Sequence, residues 1–189
     1  EAGRVAYISG RSASETEKGH YNPPVDLVGP RRLYLNFAWT PAADEVVIVE
    51  GQADALTLGQ WGIPAVALAG LSLSAETMRE LQAYLANKVI FLGVDADDGG
   101  QKQMQGLAET LGPLTRIITW PEPAKDANAW LCEGATAEQA RELLDRAMPW
   151  VVVVATSLQA ENGHRRDARM KELFGLVASL NDFDIPRLK

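Results

Sequence analysis

From residue 45 onward, short runs of apolar residues alternate with longer stretches whose apolar positions recur at helical spacing. The apolar runs predict strands at 46–49, 65–68, 89–94 and 115–119, and the amphipathic stretches predict helices at 53–61, 74–86 and 101–111. Continuous apolar strands are typical of parallel sheets that are covered on both faces. Because strands and helices alternate, we predict an α/β fold with a parallel sheet, crossover helices on both faces, and 115–119 as the strand that completes the sheet.

The two flanks of this region follow different patterns. Residues 3–11 alternate as a strand does, residues 12–30 carry the glycines and prolines of a loop, and residues 31–38 fit either a strand or a short helix. Thr136 and Gln139 form a capping-box pattern that predicts a helix through residue 147. Residues 149–160 fit a helix or a strand, and 165–180 predict a final amphipathic helix.

Composition narrows the class of protein. A length of 189 residues suffices for one core, or for one core with a small appended subdomain. The apolar fraction of 47% indicates a globular chain, and neither a signal sequence nor a run of about 20 apolar residues is present. We therefore expect a cytoplasmic protein with no membrane partner. The chain begins without a methionine, so we expect a domain of a longer protein. Cys132, His20 and His164 are too few for a zinc cluster.

Acidic residues follow successive predicted strands. Glu50 follows VVIV, Asp95 and Asp97 follow VIFLGV, and Asp126 follows RIITWPEPAK. In an open parallel sheet the carboxyl ends of the strands meet at one edge, where ligands bind. Carboxylates there are suited to Mg²⁺, which neutralises phosphate and activates an oxygen nucleophile. The net charge of −7 argues against a nucleic-acid partner, but bound cations would offset it locally.

Three sequence motifs resemble the Toprim domain of bacterial and phage DNA primases. In chain order they are EGQADAL from Glu50, DADDGGQ from Asp95 and KDANAWL from Lys125. Upstream, GRVAYISGR, HYNPP and RRLYLN resemble the small subdomain that precedes Toprim in DnaG-type primases. The KDAN sequence of the third motif is more similar to that of phage and mitochondrial primase-helicases. The resemblance implies a small mixed subdomain at 1–43, a Toprim domain at 44–134 and C-terminal helices at 135–189.

The resemblance also implies roles for single residues. Glu50, Asp95 and Asp97 would be catalytic, and together with Asp126 they would hold Mg²⁺ or Mn²⁺. Asn128 stands where many primases carry a second acid, which argues against a full second metal site. Nucleotide or nucleic-acid contacts are expected at Arg11, Gly51, Asp54, Gly100 and Lys125.

Several of these residues, and a basic cluster near the C-terminus, also have a purely structural interpretation. An aspartate at a strand end is often a helix cap, and Asp54 is suited to the first turn of a helix, where it complements the dipole. Lys125 can pair with a carboxylate as readily as with a phosphate, and Arg11 can be an ordinary surface arginine. The basic cluster of residues 165–171 is usual for a solvated helix face.

The function that follows from the resemblance is a metal-dependent nucleotidyltransferase of the primase type, which makes RNA primers in DNA replication. Its expected partners are single-stranded DNA, ribonucleoside triphosphates and a replicative helicase. Two alternatives stay open, namely a Toprim nuclease that hydrolyses phosphodiesters and a degenerate, non-enzymatic Toprim module in a phage or plasmid replication protein.

Overall fold

The computed structural model describes residues 8, 10–12, 20–21, 24–28, 33–68, 73–94, 98–158 and 163–178. Within these ranges a short hairpin, β1 and β2, precedes six strands that form one mixed sheet. The strands are β1 (Gly10–Arg11), β2 (His20–Tyr21), β3 (Tyr34–Leu35), β4 (Glu45–Val49), β5 (Ala65–Ala67), β6 (Val89–Leu92), β7 (Arg116–Ile117) and β8 (Met148–Pro149).

The sheet has the strand order β3-β5-β4-β6-β7-β8. The four central strands are parallel, with β4 between β5 and β6, and β6 beside β7. The outer strands β3 and β8 pair antiparallel with β5 and β7. Pro149 is tolerated in β8 because an edge strand need not donate every backbone N–H.

Helices cover both faces of the sheet. The described helices are α1 (Val25–Val28), α2 (Gln52–Gln60), α3 (Ala75–Leu85), α4 (Asp98–Leu111), α5 (Ala127–Cys132), α6 (Ala137–Arg146), α7 (Trp150–Leu158) and α8 (His164–Ala178).

Alternation along β4 divides the core into two layers. Val46 and Ile48 join apolar side chains of α3, α4, α7 and α8 in one layer, whereas Val47 and Val49 join those of α2, α5 and α6 in the other. All four valine and isoleucine side chains are fully or almost fully buried, which explains why β4 is uniformly apolar in sequence. The predicted α/β class with both faces covered is confirmed.

The structure corrects several boundaries. Residues 12–30 are not entirely loop, because β2 and α1 lie among them. The described part of 31–38, residues 33–38, contains a strand rather than a helix. The prediction that 115–119 completes the sheet is wrong, since β8 pairs beyond β7. Residues 149–160 combine both alternatives, with Pro149 in β8 and α7 directly after it. Strand β6 ends two residues before the predicted boundary, and α4 begins three residues before its predicted start.

Among the described residues, no helix combines the length and the apolar character that crossing a membrane requires. The division of the chain at residues 43 and 134 stays a prediction. Strands from both flanks, β3 and β8, nevertheless belong to the central sheet.

Candidate functional site

The carboxyl edge of the parallel strands carries the first predicted motif. Glu50 follows β4 directly and is half-buried, and Gly51 is the N-cap of α2. The neighbouring strand β6 leads through Gly93 and Val94 towards Asp95 and Asp97, which lie outside the described residues. The structure therefore shows the strand ends that approach the predicted metal site without describing that acidic pair.

The carboxylate of Asp54 occupies the space that a side chain on Gly51 would need. A Cβ atom on Gly51 would lie 2.8 Å from Oδ2 of Asp54, which is closer than real Cβ contacts allow. The backbone of Gly51 is extended, with φ −103° and ψ 150°, so its conformation alone would accept any residue. The close approach of Asp54 favours glycine here, because a larger residue would force the Asp54 carboxylate to shift.

Asp54 belongs to the first turn of α2 and is only 7% exposed. Its Oδ1 accepts a hydrogen bond of 3.0 Å from the backbone N–H of Asn128, 74 residues away in the chain. Thr57, one turn further along α2, donates from its hydroxyl to Oδ1 of Asn128 at 3.4 Å. Two contacts thus join the helix of the first motif to the helix of the third.

Aromatic packing strengthens the same junction between α2 and α5. The ring of Trp130, on α5, meets that of Trp61, which caps the end of α2, in an edge-to-face arrangement at 5.8 Å. Trp130 also approaches Trp120, whose ring centroid lies 6.3 Å away. Such contacts contribute beyond the area they bury, so α5 is held against α2 along its length.

Asp126 caps α5 rather than ending a strand. Its Oδ1 accepts from the backbone N–H of Ala129 at 2.6 Å, and its Oδ2 lies 3.5 Å from Nζ of Lys125. The Lys125 side chain is 64% exposed, and exposed ion pairs contribute little to stability. Asp126 is thus a helix cap and Lys125 pairs with a carboxylate, as their structural interpretations predict. A phosphate could replace the carboxylate beside Lys125 at a small cost in free energy.

The other candidates are described only in part. Arg11 lies in β1, where the structure describes its backbone, and Gly100 lies in the first turn of α4. Among the described residues, no group of three acidic, histidine or cysteine side chains is placed to hold a metal ion. The sequence did not single out Thr57, although its spacing of three residues from Asp54 on one helix was the available signal.

Comparison with known proteins places this geometry in a family. The model of the Toprim-like family matches residues 47–131, which contain the second part of β4, all of α2 and most of α5. These residues form a Toprim-like domain. The prediction of a Toprim domain of the DNA primase type is confirmed.

The relatives of this chain include DNA primases and a phage protein. A DNA primase of Synechococcus elongatus is 32% identical over 162 residues, which cover 79% of this chain and 23% of that protein. The gene 57 protein of Mycobacterium phage D29 is 35% identical over 98 residues, covering 52% of this chain and 62% of its own length. The chain thus spans about a quarter of the bacterial primase that it matches.

Among solved structures, a DnaG primase catalytic domain bound to single-stranded DNA matches 98% of this chain and 63% of its own chain, with a TM-score of 0.71 and 24% identity. This likeness shows a common fold. Toprim primases are metal-dependent in general.

Proposed function

We propose that this Toprim chain is the nucleotidyl-transfer part of a primase, which joins ribonucleotides on a single-stranded DNA template. The observation that carries the proposal is the junction of the first and third motifs, in which Asp54 on α2 binds the start of α5 beside Asp126. The similarity to bacterial primases supports the same activity. The domain division at 43 and 134 and a cytoplasmic location belong to the proposal.

The donor chemistry of the edge fits a hard divalent cation, because its acidic side chains offer carboxylate oxygens and no thiolate or imidazole. The described acids do not by themselves make a three-ligand group. We propose that Asp95 and Asp97 complete the set with Glu50 and Asp126, and that the ion is Mg²⁺ or Mn²⁺. Such an ion neutralises charge on the transferring phosphate when bound.

We assign to Glu50 the role of general base for the 3′-hydroxyl of the primer. The 3′-oxygen of the growing primer attacks the α-phosphorus of the incoming nucleotide, the bond to pyrophosphate breaks, and the Glu50 carboxylate takes the proton from the hydroxyl. Backbone N–H groups near Gly100, in the first turn of α4, are suited to phosphate oxygens, and Lys125 can exchange its exposed pairing for a phosphate.

The proposed partners follow from this reaction. They are a single-stranded DNA template, ribonucleoside triphosphates and, in the full protein, a replicative helicase. Arg11 and Gly51 are proposed to contact nucleotide or template.

The test replaces Glu50 with glutamine, which keeps the shape of the side chain but cannot accept the proton. Primer synthesis from labelled ribonucleotides on a DNA template should fall by about 10²- to 10⁴-fold, with the fold and Mn²⁺ binding largely kept. Glu138→Gln, on the exposed first turn of α6, is the matched control and should leave the rate unchanged. Primer synthesis at the original rate by the Glu50 variant would mean that Glu50 does not accept the proton and has a structural role only. Cleavage of the oligonucleotide without synthesis would favour the nuclease.

A further inference from the structure

The carboxylate of Asp54 lies at the beginning of a helix other than its own. The first backbone N–H groups of any helix lack partners within the helix. In α5, Asp126 accepts from the N–H of Ala129, and Asp54 accepts from the N–H of Asn128. Two carboxylates from distant parts of the chain therefore share the start of α5.

The surroundings of Asp54 hold it in this arrangement. Burial of all but 7% of the residue means that its charge needs hydrogen bonds from the protein. The missing side chain at Gly51 leaves room for Oδ2, and Thr57 makes the second contact with Asn128. Each feature favours one position of α5 relative to α2.

We propose that Asp54 is a positioning residue, which holds the start of α5 against α2 so that Asp126 stays at the carboxyl edge with Glu50. This inference rests on the proposed function, and it replaces the nucleotide-binding role expected for Asp54 from sequence. Gly51 acts with Asp54 by leaving it the space that it occupies, which accounts for a glycine at a position with ordinary backbone angles.

The decisive measurement is hydrogen exchange of the Asn128 backbone amide, observed by NMR without added metal. Asp54→Ala removes the acceptor and should speed exchange of this amide by about tenfold or more, since a hydrogen bond to a charged group contributes about 1.5 to 3 kcal/mol. Asp54→Asn keeps the Oδ1 acceptor but loses the charge, so exchange should speed up by less than about tenfold and clearly less than in Asp54→Ala.

Gly51→Ala tests the same idea with the Asp54 carboxylate still present. The added Cβ should displace Oδ2 and speed exchange of the Asn128 amide by about tenfold, which keeps the test available if Asp54→Ala does not fold. The matched control is Gly106→Ala on α4, where an added Cβ meets nothing within 4 Å. It should leave the Asn128 amide unchanged.

Mn²⁺ affinity separates a positioning residue from a ligand. Loss of a supporting contact lowers metal affinity by about 10- to 100-fold, so Asp54→Ala should bind Mn²⁺ correspondingly more weakly, while Asp54→Asn should stay within about threefold. If Asp54→Asn keeps the amide protected but loses Mn²⁺ as fully as Asp126→Asn, Asp54 is a ligand and the inference is wrong. Unchanged exchange in both Asp54→Ala and Gly51→Ala would also overturn it. A chain that binds no Mn²⁺ and transfers no nucleotide would refute the proposed function instead, because exchange is measured without metal.

Discussion

The acidic side chains at the carboxyl edge make different contacts, and these contacts indicate which of them can bind a metal ion. Asp54 and Asp126 both accept backbone N–H groups of α5, whereas Glu50 extends the buried strand β4 directly. A carboxylate that caps a helix with one oxygen still offers the other to a ligand. The ion pair with Lys125, whose side chain is 64% exposed, is therefore the contact that Asp126 would exchange for a cation.

At the residue scale, we expect the pair Asp95 and Asp97 to provide most of the affinity for divalent ions. Replacing both with asparagine removes two negative charges, so Mn²⁺ binding followed by calorimetry or by paramagnetic broadening should be lost. Asp145→Asn, an exposed position on α6, should bind as before. Equal affinity in the double variant would exclude the proposed metal site.

Asn36 provides a second prediction at this scale. It is 3% exposed, donates from Nδ2 to the carbonyls of Ala55 and Ile63, and accepts at Oδ1 from the N–H groups of Trp39 and Ala65. Asn36→Ala leaves these buried groups without that partner and should lower the free energy of unfolding by about 3 to 4 kcal/mol.

Urea denaturation followed by circular dichroism measures this loss. Gln60→Ala, at an exposed position on α2, should change the free energy of unfolding by less than about 0.5 kcal/mol. A loss below about 1 kcal/mol in Asn36→Ala would mean that water replaces the buried bonds.

At the scale of elements, local signals determine where helices start. The predicted capping box is present in α6, where Thr136 accepts from the N–H of Gln139 and the Gln139 side chain accepts from the N–H of Thr136. Ser74 caps α3 through the N–H of Thr77. Both helices start one residue after these caps, because a cap supplies an acceptor that the first turn lacks.

We expect Thr136→Ala to lower the free energy of unfolding by about 1 kcal/mol through the loss of this cap. Thermal denaturation measures the change. Thr156→Ala is the control, because that hydroxyl bonds to Val152 within the exposed part of α7 and caps nothing. Equal effects of the two substitutions would show that the capping box contributes no more than an ordinary surface threonine.

At the scale of the whole molecule, the net charge of the protein affects how it binds its proposed DNA template. With a net charge of −7, binding of DNA has to rely on local basic residues and on cations held at the acidic edge. Affinity for single-stranded DNA should therefore fall steeply with salt and should require a divalent ion. Each neutralised phosphate contributes a slope of about 0.7 in log K against log salt.

Fluorescence anisotropy with a labelled oligonucleotide, at several salt concentrations with Mg²⁺ or with chelator, measures this dependence. Arg11→Ala should weaken binding and reduce the slope by about 0.7 if Arg11 contacts one phosphate. Arg146→Ala removes an arginine that is 78% exposed on α6 and should leave the slope unchanged. If the affinity for the oligonucleotide does not depend on metal, salt or Arg11, the proposal that this domain binds the template is wrong.

The sequence by itself determined the α/β class and the main strands and helices, and it predicts that Glu50 and the third motif lie at one edge of the sheet. Continuous apolar runs and helical periodicity are local properties, and parallel strands necessarily bring their carboxyl ends together. Only the tertiary structure decided the antiparallel edges and the junction of α2 with α5. Strands β3 and β8 are two residues long, too short to show a period, and Asp54 meets Asn128 across 74 residues. Contacts of that separation depend on how the two helices pack on the sheet, which no local pattern encodes.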